Sequence, residues 1–136
     1  MTSVGIIANP ASGKDIRRLV SHATVVNNNE KASIVRRVLL ALHASGVRRV
    51  EIMPDHFGIG VRALKGLRDR PEVLASASLI DMPVTHTLAD SLRAAQYLCD
   101  AGAGCIVVLG GTGSIPGAFV GTLGMVTLPV PETPPQ

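Results

Sequence analysis

At 136 residues the chain is the size of one domain, long enough to bury about two-thirds of its unfolded surface without disulfide or metal staples. It is 46% hydrophobic but only 2% aromatic, which argues against platforms that stack bases on rings and leaves Val, Leu, Ile and Ala to fill the core. The net charge of +3 includes Arg pairs at 17–18, 36–37 and 48–49 that are spread along the chain, so it describes a solvated surface or a preference for phosphorylated small molecules, not a nucleic-acid footprint.

Val4 to Ala8 is a short apolar run and predicts a first buried strand. The turn-forming cluster Asn9-Pro-Ala-Ser-Gly-Lys14 follows it, and residues 15–20 allow a short helix. Residues 22–28 are polar and read as loop. Asn29 has the character of an N-cap with Glu30 in the first turn, and Ile34, Val35, Val38, Leu39 and Leu42 then share one helical face up to Gly46. A second strand is predicted over 50–53. Asp55 is placed to cap a helix carrying Ile59, Ala63, Leu64 and Leu67, which Arg68-Asp-Arg-Pro71 breaks.

A third short strand falls within 76–81. Thr87 opens the next helix, with Asp90 as the acid of a capping box and Leu88, Leu92, Ala95 and Cys99 as its buried stripe. Cys105 to Leu109 is a fourth strand, running straight into Gly110-Gly-Thr-Gly-Ser114. A further strand is expected around 125–128, before a Pro-rich tail. Alternating strands and helices joined by right-handed crossovers predict an α/β fold: a three-layer, Rossmann-like arrangement, with a mostly parallel sheet of four to five strands and helices on both faces.

The two cysteines form no CxxC and read as reduced, half-buried thiols. No charged leader precedes the first strand, and no apolar run approaches the ~18–20 residues of a membrane span, so the expected compartment is the cytoplasm. Histidines 22, 43, 56 and 86 lack metal-ligand spacing, and no metal site is expected from them.

Two segments carry chemistry. Asn9-Pro-Ala-Ser-Gly-Lys14 is not a Walker A loop, because Ala8 stands where its first Gly would be and Asp15 where its Ser or Thr would be. Ser12, Gly13 and Lys14 still sit after a strand, where phosphate binds. The glycines at 110, 111 and 113 leave backbone N–H groups for the same task. Gly58-Ile-Gly60-Val-Arg-Ala63 mimics a dinucleotide fingerprint, but it stands too far beyond its strand. Close packing or a bent helix start is the favoured reading of its glycines. Asp55 and His56 stand at a strand end and are candidate ligand contacts, although capping is the favoured reading of Asp55.

Taken together, a first strand ending in Asn9-Pro-Ala-Ser-Gly-Lys14 and a later strand ending in Gly110-Gly-Thr-Gly-Ser114 resemble the NAD kinase / diacylglycerol kinase superfamily. Val-Val-Asn-Asn-Asn-Glu-Lys31 and Ile-Met-Pro-Asp55 resemble its bacterial ATP–NAD kinase branch, including the acetoin-catabolism-associated proteins. The resemblance covers residues 3–114. It implies a kinase-like α/β domain over 1–114 that binds ATP and NAD. Asn9, Pro10, Ser12, Gly13, Lys14, Gly110, Gly111, Gly113 and Ser114 would lie along the phosphates.

In that family a Gly-Gly-Asp-Gly-Thr loop supplies an Asp that activates the acceptor hydroxyl or organises Mg²⁺. Thr112 occupies its position here, and a neutral hydroxyl does neither task well. The family's β domain is not found in residues 115–136, which read as a divergent extension of a truncated or frame-altered product. Weak nucleotide binding with little or no turnover is therefore expected. Two other readings stand beside this one. One is a lipid-kinase relative; the other is a non-catalytic module that self-associates through an exposed strand or apolar face.

Overall fold

The computed structural model describes residues 3–9, 21–109 and 124–128, with the backbone alone for 21–28 and 124–128. Five strands, β1 (Val4–Ala8), β2 (Val50–Ile52), β3 (Ala77–Leu79), β4 (Cys105–Leu109) and β5 (Gly124–Leu128), form one sheet in the order β3-β2-β1-β4-β5. Every pairing is parallel. Four helical segments intervene: α1 (Ser21–Ala44), α2 (Ile59–Lys65), the single turn α3 (Pro71–Leu74) and α4 (Ala89–Asp100). The α/β expectation holds at the five-strand end of its range.

Parallel strands buried on both faces need apolar residues at every position, and all five residues of β1 are buried. Alternate residues feed two separate cores. On one face Val4, Ile6, Val50, Ile52, Val107 and Leu109 pack with Val35 and Leu39 of α1, and with Ile59 and Ala63 of α2. On the other, Ile7, Met53, Ile80, Ile106 and Val108 pack with Ala94, Ala95 and Leu98 of α4. Strand alternation thus produces the three layers. Among the described residues, no helix is long and apolar enough to cross a membrane. Cys99 and Cys105 are free and half-buried, as the sequence predicts.

Three local expectations are corrected. Residues 22–28, read as loop, belong to α1, which starts at Ser21. The Asn run there has only modest helix propensity, a weak prior for loop. Asn29 is accordingly inside the helix rather than capping it, and its side-chain oxygen accepts a bond from Arg62 Nη1 at 2.6 Å.

The third correction concerns α4. Of the predicted stripe Ala95 is buried and Cys99 half-buried, but Leu88 and Leu92 are exposed; Asp90, Ser91, Ala94 and Leu98 are buried in their place. Small residues let α4 approach β1 closely. Leu98 lies directly over Gly5, where a Cβ would come within 2.6 Å of Leu98 Cδ2. The face was chosen by close fit, not by the largest apolar side chains. The short helix expected over 15–20 lies outside the described residues.

Candidate functional site

In the strand order β3-β2-β1-β4-β5, the chain leaves β1 for β2 through α1 and returns from β3 to β4 through α4. The two helices pack on opposite faces of the sheet. Beyond the C-terminal ends of β1 and β4 such helices diverge and leave the crevice where open α/β sheets bind ligands. Ala8 and Leu109 are register partners across this junction. The chain therefore leaves the sheet at neighbouring points just before each of the two glycine-containing motifs. Of the predicted phosphate contacts, Asn9 is described; Pro10, Ser12, Gly13, Lys14, Gly110, Gly111, Gly113 and Ser114 lie outside the described residues, as does Thr112.

Asn9 is only 2% exposed. Its side-chain amide donates to the Thr87 carbonyl at 2.9 Å and to Ser91 Oγ at 3.0 Å, tying the end of β1 to the start of α4. Its carbonyl accepts a bond from Lys31 Nζ at 3.3 Å. Lys31 is 3% exposed. Burial holds its ammonium below the ordinary lysine value, and the charge of Asp55 acts in the opposite sense.

Asp55 follows β2, and its Oδ1 accepts the Ile59 N–H at 2.8 Å, which is the predicted capping role. Oδ2 is buried without a hydrogen bond of good geometry. Burial raises the carboxyl above its ordinary range, opposed by the N–H groups of Ile59, Phe57, Gly60 and Gly58. Gly58 has φ +72, and a Cβ on Gly60 would press on Ile52 and Leu79 at 3.0 Å. Of the glycines of the false fingerprint, Gly58 thus supplies the left-handed turn before α2, and Gly60 lets α2 pack closely on the sheet.

His56, the other predicted contact beyond β2, meets His86 from the loop beyond β3, with ring centroids 4.2 Å apart. Both rings are exposed at the sheet edge. His86 has φ +66, uncommon for a residue with a Cβ. Asp90 holds it there: its carboxylate accepts the N–H groups of Thr85 and His86 at 3.0–3.1 Å, and the Thr85 hydroxyl at 2.6 Å. The Thr87 hydroxyl accepts the Ala89 N–H, but the predicted capping box is corrected: Leu88 is the N-cap of α4 without a side-chain cap, and the Asp90 carboxylate takes the N–H groups of Thr85 and His86.

The sheet edge thus gathers Asn9, Asp55 and His56, as the sequence predicts, and adds Lys31, His86, Thr87 and Ser91. Lys31 was legible in principle. It stands at i−4 and i−8 from the buried Val35 and Leu39, a charged residue on the apolar stripe of α1. The other three carry no such signal, because their partnership with Asn9 and His56 exists only in three dimensions. No cluster of three or more metal-ligating side chains occurs among the described residues. Cationic and amide groups beside a parallel-sheet crevice suit an anionic ligand.

No protein-family model matches the chain. No solved structure matches it. The chain is 45% identical over 114 residues to Acetoin catabolism protein X of Cupriavidus necator, an alignment covering 82% of this chain and 32% of that protein. It therefore spans about a third of the length of the curated relative it matches. The similarity supports the acetoin-catabolism-associated branch that the two motifs resemble.

Proposed function

We propose that this chain is a kinase-like nucleotide-binding domain whose phosphate site lies beyond the C-terminal ends of β1 and β4. The observation that carries the reading is the register of Ala8 with Leu109 in a sheet ordered β3-β2-β1-β4-β5. That pairing starts both motifs side by side at the edge where α/β sheets bind phosphorylated ligands. The buried Asn9 and Lys31 beneath that edge support it, as does the likeness to Acetoin catabolism protein X.

By resemblance to ATP–NAD kinases, the ligands are ATP and NAD, and the family reaction moves a phosphoryl group from ATP to a ribose hydroxyl of NAD. Thr112 lacks the carboxylate that would accept the proton or hold Mg²⁺ strongly. Loss of such preorganised charge costs orders of magnitude in rate, so this chain binds nucleotide with little or no transfer. Isothermal titration with Mg–ATP and with NAD tests the reading. Heats that saturate in the millimolar range or below are expected; no heat with either ligand sinks it.

A further inference from the structure

We propose that His56 and His86 form a two-imidazole site for a borderline divalent transition-metal ion, for which Zn²⁺ is the probe. The inference goes beyond the nucleotide reading and does not depend on it.

The two residues are far apart in sequence, on the segments that follow β2 and β3. Those strands pair in parallel, so both segments leave the sheet at its C-terminal edge. There the ring centroids stand 4.2 Å apart, with the ring planes at 73°. Both residues are exposed, so an ion reaches them from solvent without opening the core. Zn²⁺ bonds an imidazole nitrogen at about 2.0–2.1 Å, so two rings on one ion stand only about 1 Å further apart than these. Rotation of exposed side chains supplies that opening.

Two features hold the pair in place. His86 is the one non-glycine residue with positive φ among the described residues, at +66. A glycine would take that conformation with less strain. Asp90, only 1% exposed, pins it by accepting the N–H groups of Thr85 and His86 at 3.0–3.1 Å. Phe57 packs edge-on against His56, with centroids 5.3 Å apart, and restrains that ring. A strained backbone fixed by its surroundings marks ligand clamps more often than neutral surface.

The donors select the ion. Imidazole nitrogen suits Zn²⁺, Ni²⁺ and Cu²⁺, whereas Mg²⁺ takes oxygen ligands. No group of three or more metal-ligating side chains occurs among the described residues, so the pair is not the closed four-ligand cage of a structural zinc. Two protein ligands leave coordination positions open to water or to the oxygens of an anionic ligand. The site is therefore an exchangeable one at the ligand-facing edge of the sheet.

The test is isothermal titration of the full chain, freed of metal with EDTA, with zinc chloride in a non-chelating buffer. One ion per chain with micromolar affinity is expected. His56→Ala and His86→Ala should each weaken it about tenfold or more, because a single ring loses the chelating help of the second. His86→Gly is the sharper variant. It removes the ring but suits positive φ, so Zn²⁺ affinity falls while the melting temperature holds or rises. In imidazole NMR spectra, Zn²⁺ should shift the signals of His56 and His86 together and leave His43, at the far end of α1, unmoved.

Zn²⁺ bound equally well by wild type and by the double variant His56→Ala/His86→Ala overturns the inference and assigns the ion to other side chains. Wild type that takes up no Zn²⁺ at millimolar concentration overturns it too. Unequal response of the two rings, with only one shifted by the ion, does the same. None of these results touches the nucleotide reading, which the Mg–ATP titration tests separately.

Discussion

Asn9 and Ser91 stand 82 positions apart in sequence, and the side-chain amide of the first donates to the hydroxyl of the second across 3.0 Å. Its other amide hydrogen goes to the Thr87 carbonyl. Both donors of Asn9 are therefore spent on α4, while its carbonyl faces Lys31 on α1. One residue at the end of the central strand clamps the helices of both faces at the point where they diverge. The same bonds tie the two helix layers to the end of β1.

Replacing Asn9 with Ala removes both bonds and leaves Ser91 Oγ and the Thr87 carbonyl without this donor at a buried site. The expected loss is about 1–3 kcal/mol of stability, the usual consequence of a buried polar group losing its partner. Asn9→Asp should be as harmful or worse, since a carboxylate cannot donate to the Thr87 carbonyl. Urea unfolding followed by far-UV circular dichroism measures both. Unchanged midpoints would show that the clamp contributes nothing.

Gly5 makes a second prediction. Any side chain there meets Leu98, so Gly5→Ala forces α4 outward or Leu98 into a poor rotamer, at about 1–3 kcal/mol. Leu98→Ala alone should cost about 2–5 kcal/mol through the cavity it leaves. Combined, the two changes should cost clearly less than their sum, because each relieves the other. A double-mutant cycle by thermal melting checks this. Strict additivity would mean that Leu98 does not press on Gly5 in solution.

The sheet was legible because parallel strands buried on both sides appear as continuous apolar runs, and Val4–Ala8 and Cys105–Leu109 have that form. The placement of Asn9, Asp55 and His56 just beyond strand ends was legible too, because each comes soon after an apolar run. What escaped were features decided by tertiary fit. Asn29 looks like a cap by type, yet its oxygen serves Arg62 from α2. Leu88 and Leu92 look like a core stripe by hydropathy, yet small Ser91 and Ala94 face the sheet because Gly5 lets the helix come close. His86 and Thr87 join the edge through contacts that no local pattern encodes.

The pair His56–His86 separates stability from binding. Both rings are exposed, so converting both to Ala should change unfolding free energy by less than about 1 kcal/mol. If the nucleotide extends along the edge beyond β2 and β3, the same double variant weakens Mg–ATP while leaving the melting temperature nearly unchanged. Parallel titration and melting experiments decide. Wild-type affinity in the double variant would remove His56 from the ligand contacts.

Asp90 gives the fold an acid-sensitive hinge point between β3 and α4. Burial works against its charge, but the Thr85 hydroxyl and the N–H groups of Thr85, His86 and Thr87 outweigh burial and hold the carboxyl below its ordinary 3.8. A folded value below the unfolded one means that the unfolded chain takes up the proton first as pH falls. The stabilisation is therefore complete above about pH 5 and drains away as pH drops through 3.8 and then through the folded value. Asp55 has the opposite sign: its raised carboxyl is a penalty at neutral pH that eases as pH falls towards its folded value. Asp90→Asn keeps one acceptor but no charge, and should lose about 1–3 kcal/mol at neutral pH. Its stability should also fall less steeply than that of wild type on acidification, so the two curves converge. Urea midpoints between about pH 7 and about pH 3 measure the gap. A gap that stays constant across that range would show that the carboxylate charge of Asp90 does not hold the Thr85–Thr87 turn.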